Sequence, residues 1–374
     1  MERRTFMHSG LALGVAGIAG MAPSRLNAST LRPSVADGPI KLSSNENALG
    51  LCPAARQAVI DGIASANRYP RASRRAVTEA LATKHGVSTD CIVLGNGSTE
   101  LLQMMVQATA SRRTKLIYAE PTFEDVTRYS LPEGYIREPV PLDGRMAHDI
   151  GRMRELAERS WDPALVYICN PNNPTGTLTP CSEIDEWIAS APENVRFLVD
   201  EAYFEYADDP DYSTSIRWIM DRPNVLVART FSKIYGMAGM RLGYGIAHPD
   251  TAKHIRQFSA GTNTNELALR AGLASLNDTG LVSRSLDANT RGVAILRGCL
   301  DELGLESMPS HTNFVMHRIN GDLQTYIGRM REHDMLVGRP FPPMLTYNRL
   351  SIGLPEEMEQ FAETLRTFRQ NGWV

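Results

Sequence analysis

One lysine in the stretch "RTFSKIYGMAGMRLGYG" (229–245), Lys233, stands between a hydroxyl, Ser232, and a glycine-interrupted run that ends in Arg241. A solvated loop lysine needs neither neighbour. A lysine that condenses with an aldehyde has to be held where the carbonyl can reach it, and a fixed guanidinium with a hydroxyl beside it neutralises a phosphate. Asp200 closes the apolar run "FLVD" (197–200). Its carboxylate is therefore expected at low exposure, where it requires a cation or a donor. A protonated pyridine nitrogen is such a partner, and it turns the ring into an electron sink for a carbanion at an amino acid's α-carbon. Tyr203, three residues on, is spaced to offer its phenol to an oxygen on that ring.

Weaker signals point the same way. "GNGSTE" (95–100) follows an apolar run and opens the helical pattern "LLQMMVQA". The free amides of a helix start at Gly97, Ser98 and Thr99 can cradle a phosphate, and a plain capping box accounts for the same letters. "NPNNPTG" (170–176) sets Asn173 in a proline-bracketed turn, either as a donor to a ring oxygen or as an ordinary Asn-Pro turn. Phe123, after "EP" at the end of a strand pattern, is either a stacking face or a core residue.

These residues have to be carried by elements that converge. Six β-branched runs end in polar or glycine-rich turns: 91–98, 115–123, 164–176, 197–204, 224–233 and 241–248. Helical patterns separate most of them, which predicts an α/β fold with a mainly parallel sheet sandwiched by helices, its ligands beyond the carboxyl ends of the strands. From about residue 265 the pattern changes to long helices, then the short strands "NFVMHRI" and "RLSIGL", then a helix from Pro355. The expected organisation is an extended arm over 29–45, a large domain over 46–265 and a smaller α+β domain over 266–374.

A chain of 374 residues with 43% apolar and 22% charged residues and a formal net charge of −3 has ample burial capacity and carries no electrostatic footprint for nucleic acid. The five cysteines, Cys52, Cys91, Cys169, Cys181 and Cys299, lack metal-site spacing or a disulfide pattern, and most of them read as small core residues. Residues 1–28 differ from the rest: "MERRTF" precedes the uncharged run "SGLALGVAGIAGMA", and "LNAS" offers small residues for cleavage. This reads as a twin-arginine export signal cut after Ala28, which predicts a periplasmic or otherwise exported protein without a stable membrane anchor.

Taken in order, "NPTG" with Asn173, "DEAY" with Asp200 and Tyr203, and "SKIYGMAGMR" from Ser232 to Arg241 resemble a fold-type-I pyridoxal-phosphate aminotransferase of class I/II. "LSSNENALG" (42–50), "RYP" (68–70), "GNGSTE" and "RLSIG" (349–353) narrow the resemblance to the histidinol-phosphate aminotransferase branch. It covers nearly everything after residue 40. The resemblance implies pyridoxal 5'-phosphate as cofactor, carried by Lys233 as a Schiff base, with Asp200 on the ring nitrogen. Tyr203 and Asn173 would meet the ring's 3-oxygen and Phe123 would stack on the ring. Gly97, Ser98, Thr99, Ser232 and Arg241 would hold the phosphate. Tyr69 would reach the cofactor of a neighbouring subunit, so a homodimer is implied. Arg349 would clamp the substrate's anionic end, with Asn45 and Arg339 also in the substrate site. Met344, Tyr347 and Arg339 are expected to line a pocket for an apolar or aromatic side chain.

Two features depart from the biosynthetic branch: the export signal, and Gly338 ahead of Arg339 in "LVGRP". Both point to a main substrate other than histidinol phosphate. The implied activity is ping-pong transfer of an amino group between an amino acid, or an amino-alcohol phosphate, and a 2-oxo acid. Racemisation, β-elimination and decarboxylation remain open on the same residues.

Overall fold

The computed structural model describes residues 38–374, and the expected signal sequence and most of the expected arm lie outside them. Eleven strands are present among these residues: β1 (Ile40–Leu42), β2 (Ile92–Gly95), β3 (Lys115–Glu120), β4 (Ile136–Pro141), β5 (Ala164–Cys169), β6 (Val195–Asp200), β7 (Val225–Thr230), β8 (Gly243–Ala247), β9 (Phe314–Arg318), β10 (Met335–Val337) and β11 (Tyr347–Ser351). Seven of them form one sheet in the order β2-β8-β7-β6-β5-β3-β4. Only β8 runs against its neighbours; the other pairings, from β7 across to β4, are parallel.

Strands β5 and β7 are buried along their whole length, as a sheet covered on both faces demands, and this is why they read as unbroken apolar runs. One face packs on a core that includes Trp187, Phe197 and Tyr244. The other packs on Leu101, Leu102 and Met105, the apolar stripe of the helix Ser98–Thr109. Strand β4 escaped the sequence reading because only Val140 in it is buried. Pro139 and Pro141 are tolerated there because β4 is the sheet's edge.

A separate core gathers Leu296, Leu350, Phe361, Leu365 and Phe368. Here β9 and β11 pair antiparallel. The helix Pro355–Gln370 starts where the sequence placed it: Pro355 needs no amide partner in the first turn, and the Glu357 carboxylate accepts from the Leu354 amide at 2.7 Å.

Two expectations are corrected. The arm is not simply an arm, because β1 pairs in parallel with β10 and Leu42 is fully buried in the C-terminal core. The change of character near residue 265 does not mark a break in packing either. The helix Glu266–Asn277 contributes Ala268, Leu269 and Ala271 to the core of the large sheet, and the described residues, 38–374, fall in one compact unit.

Leu42→Ala is expected to lower the urea unfolding free energy by about 2–4 kcal/mol, as for other fully buried leucines. A loss below about 1 kcal/mol would mean that β1 is a loosely attached arm after all.

Candidate active site

All the strand ends that carry the proposed chemistry open on one edge of the sheet. Residues following β2, β3, β5, β6 and β7 supply Ser98 and Thr99, Phe123, Asn173, Ala202 and Tyr203, and Ser232 and Lys233, while Asp200 is the last residue of β6. Because β8 is antiparallel to β7, its beginning lies at that same edge, which delivers Arg241 from just ahead of it. Together these residues, with Cys169 and Thr230, line a cavity of about 140 Å³.

The anion cup is built from backbone as much as from side chains. Gly97 caps the helix Ser98–Thr109 at φ +76° without a side-chain bond to the helix amides, so the capping-box reading is set aside. Glu100 instead accepts from the Asn96 amide at 2.6 Å. A Cβ on Gly97 would overlap the Arg241 guanidinium, and one on Gly243 would overlap the Ser98 amide. Both glycines are therefore needed for the close approach of these parts. Arg241, itself left-handed at φ +58°, donates to the Ser232 hydroxyl at 3.2 Å and to the Ala238 carbonyl at 2.9 Å. A guanidinium, a hydroxyl and a helix start converge on one small space, the donor set that suits a phosphate.

Asp200 is 3% exposed. Its Oδ2 accepts from the Tyr167 hydroxyl at 3.0 Å and its Oδ1 from the Ala202 amide at 3.2 Å. Burial pushes its carboxyl up to about 6, while the two donors and the charge of Lys233 oppose that rise. Lys233 donates to the Asn45 carbonyl at 3.2 Å. Burial brings its ammonium down to about 8, helped by the positive charge of Arg349 and opposed by Asp200 and Glu46. The Tyr203 hydroxyl accepts from Asn45 Nδ2 at 3.0 Å, and its ring meets Phe314 edge-on.

A second cavity of about 190 Å³ shares Phe123, Asn173 and Lys233 with the first and adds Ser44, Asn45, Glu124, Arg339, Phe341 and Arg349. Arg349 is 7% exposed. Its two terminal nitrogens donate to Asn173 Oδ1 at 2.7 Å and to the Ser43 carbonyl at 2.9 Å, while its Nε is shut off from solvent and has no partner among the described residues. A buried cation that lines a cavity is what an anionic ligand would neutralise.

The arrangement matches known proteins. Residues 37–365 match the aminotransferase class I and II family. The chain belongs to that family. It is 35% identical over 361 residues to histidinol-phosphate aminotransferase 1 of Nitrosococcus oceani, covering 95% of this chain and 96% of that one. It is 38% identical over 323 residues to histidinol-phosphate aminotransferase 2 of Ralstonia nicotianae, covering 85% of each. Among solved structures, histidinol-phosphate aminotransferase of Sinorhizobium meliloti in complex with pyridoxal-5'-phosphate shares the fold at a TM-score of 0.83, with 24% identity and coverage of 95% of this chain and 100% of the other. This aminotransferase uses pyridoxal phosphate as its cofactor, and the donor cup, the buried carboxylate and the lysine fit it.

Several sequence expectations need adjustment. Asn45 lines the aminotransferase's cleft, but its side chain is committed to Tyr203 and to the Ser351 hydroxyl at 2.9 Å, so it braces the site. Arg339 is exposed and donates to Glu124 at 2.7 Å. Met344 packs with Met308 and Met316 and the Tyr347 hydroxyl donates to Glu306 at 3.2 Å. Neither lines the two cavities, because the chain turns Phe341 inward instead, 4.5 Å from the Arg349 guanidinium. Gly338 is explained by backbone, since a Cβ there would strike the Arg349 carbonyl oxygen. Tyr69 lies outside this chain's cleft and is 79% exposed. Sequence reasoning missed Phe341 and Tyr167: neither an aromatic in a loop, as at Phe341, nor one in an apolar strand, as at Tyr167, gives a signal of its partner.

The folded chain binds the Lys233 proton less tightly than the unfolded chain does. The residue therefore destabilises the cofactor-free fold below about pH 8, and stability returns as pH rises from there toward 10.5. Lys233→Met is expected to stabilise the cofactor-free protein at pH 7 by about 1–2 kcal/mol, allowing for water in the cleft, with the gain largely gone by pH 10. Equal gains at both pH values in chemical denaturation would refute the assignment.

Proposed function

We propose that this aminotransferase acts on α-amino acids with apolar or aromatic side chains, with Arg349 holding the α-carboxylate and the side chain lying against Phe341. The supporting observation is Arg349, a cation only 7% exposed that lines the same cavity as Lys233 and Phe341. Arg339, the cation that would meet a distal phosphate, is already engaged with Glu124 and stacked 4.2 Å from Phe341. A substrate such as the histidinol phosphate of the relatives' names would have to separate that pair.

When bound, pyridoxal 5'-phosphate supplies the aldehyde and the electron-withdrawing ring. The chain's own residues do the rest. Gly97, Ser98, Thr99, Ser232 and Arg241 would hold the phosphate by amides, hydroxyls and charge. Asp200 would pair with the ring nitrogen, Tyr203 and Asn173 would bond the 3-oxygen, and Phe123 would cover the ring. The Lys233 amine, its proton loosened by burial, takes and returns the proton at the substrate's α-carbon. Asn45 holds that amine and the Tyr203 phenol in one register. Tyr69, on the exposed surface, reaches the cofactor of a second subunit in a homodimer.

Incubation with donor amino acid alone should convert the bound cofactor to its amine form, seen by absorbance, with apolar and aromatic donors ahead of histidinol phosphate in kcat/KM by at least about tenfold. Lys233→Ala should abolish the conversion, and the wild type should sediment as a dimer. Release of ammonia or carbon dioxide in its place would identify an eliminase or a decarboxylase, and preference for histidinol phosphate would overturn the substrate assignment.

We further propose that residues 1–28 direct export through the twin-arginine route, on the strength of Arg3 and Arg4 ahead of the uncharged run. Replacing both by lysine should leave the protein in the cytoplasmic fraction; unchanged export would exclude that route.

A further inference from the structure

The carboxylate of Asp200 is held from below by a residue that touches no cavity. Tyr167 lies on β5 and is fully buried, two residues before Cys169, which registers against Asp200 on β6. The period-two alternation of a strand puts Tyr167, Cys169, Leu198 and Asp200 on one face of the sheet. Tyr167, Cys169 and Leu198 pack there in the same cluster as Leu101 and Met105. From that floor the Tyr167 hydroxyl reaches up to Asp200 Oδ2 at 3.0 Å. The Ala202 amide takes Oδ1. One donor on each oxygen fixes the plane of the carboxylate and leaves its remaining lone pairs toward the cavity that Asp200 lines.

We propose that Tyr167 is a positioning residue: its buried hydroxyl orients the Asp200 carboxylate, and keeps it anionic, for the ring nitrogen of the cofactor. The proposal rests on the assignment of Asp200 to that nitrogen. Two physical points support it. The phenol donates to Asp200, and a buried hydroxyl without an acceptor is costly, so the two groups select each other's orientation. Burial, with the neighbouring carboxylate, also pushes the phenol well above the ordinary tyrosine value, so it stays a donor across the working pH range. The other titratable groups acting on Asp200 or sharing its wall of the cavity are Lys233, Cys169 and Asp125. None of them donates a hydrogen bond to the carboxylate.

The test is equilibrium dialysis of the full chain against two ligands: pyridoxal 5'-phosphate, and its deaza analogue in which C–H replaces the ring nitrogen. Tyr167→Phe should weaken pyridoxal phosphate about tenfold, the usual size for a hydrogen bond to a charged group. It should change the deaza analogue less than about twofold. Asp200→Asn should show the same selectivity, and Tyr167→Phe added to Asp200→Asn should bring no further loss. The double variant no longer buries a charge, so it remains informative if the single Tyr167 variant folds poorly. Equal weakening of both ligands would make the hydroxyl merely structural. No weakening by Tyr167→Phe beside a clear loss in Asp200→Asn would show that Asp200 acts without it. If Asp200→Asn failed to distinguish the ligands, the assignment of Asp200 itself would fall, and this proposal with it.

Discussion

A carboxylate with almost no access to water, Asp200 at the end of β6, is the constraint that the rest of the site answers. Such a group is stable only if donors and positive charge are supplied around it. A parallel sheet is well suited to that task, because every strand delivers its next residue to the same edge. Tyr167 comes from the neighbouring strand, the Ala202 amide from the turn that follows, and Lys233 from the turn after β7. The single reversed strand, β8, adds what parallel strands cannot: a residue preceding a strand, Arg241, at that same edge.

The two halves of the cleft are tied by one short segment. Residues 43–45 accept from Arg349 through the Ser43 carbonyl, receive Lys233 on the Asn45 carbonyl and exchange bonds with Ser351 and Tyr203 through the Asn45 amide groups. The side proposed to meet the substrate's anion and the side proposed to move a proton therefore share a brace. That brace is anchored because Leu42, just ahead of it, is buried in the C-terminal core. A buried ion pair below the cleft does similar work. Glu201, next to Asp200, accepts from Arg229 at 2.7 and 3.0 Å, and Arg229 lies four residues before Lys233. The pair links the strand end that bears the carboxylate to the one that bears the amine, and its near-total burial makes it intolerant of losing one partner.

Much of this was legible in the chain. Strands buried in a sheet covered on both faces leave nearly unbroken apolar runs, so six of the seven strands of the large sheet could be read directly. Residues whose chemistry is unusual for their setting, a carboxylate closing an apolar run or a lysine inside a glycine-rich turn, stood out for the same reason. The edge strand β4 did not, because exposure and prolines erase its periodicity. Nor did β1 or β10, each only three residues long, whose pairing depends on a partner almost three hundred residues away.

The sequence by itself determined the class of fold, the family, and the set of groups at the carboxyl edge of the sheet, since all of these follow from local pattern and from residue type at close spacing. Only the tertiary structure decided which groups remain free to act. It committed Asn45 to bracing and engaged Arg339 with Glu124. It turned Phe341 rather than Met344 or Tyr347 toward the cleft, and it placed the Tyr167 hydroxyl beneath Asp200. The reason is that a hydrogen bond or a packed ring is settled by which distant atoms share a few ångströms, and no spacing along the chain encodes that distance.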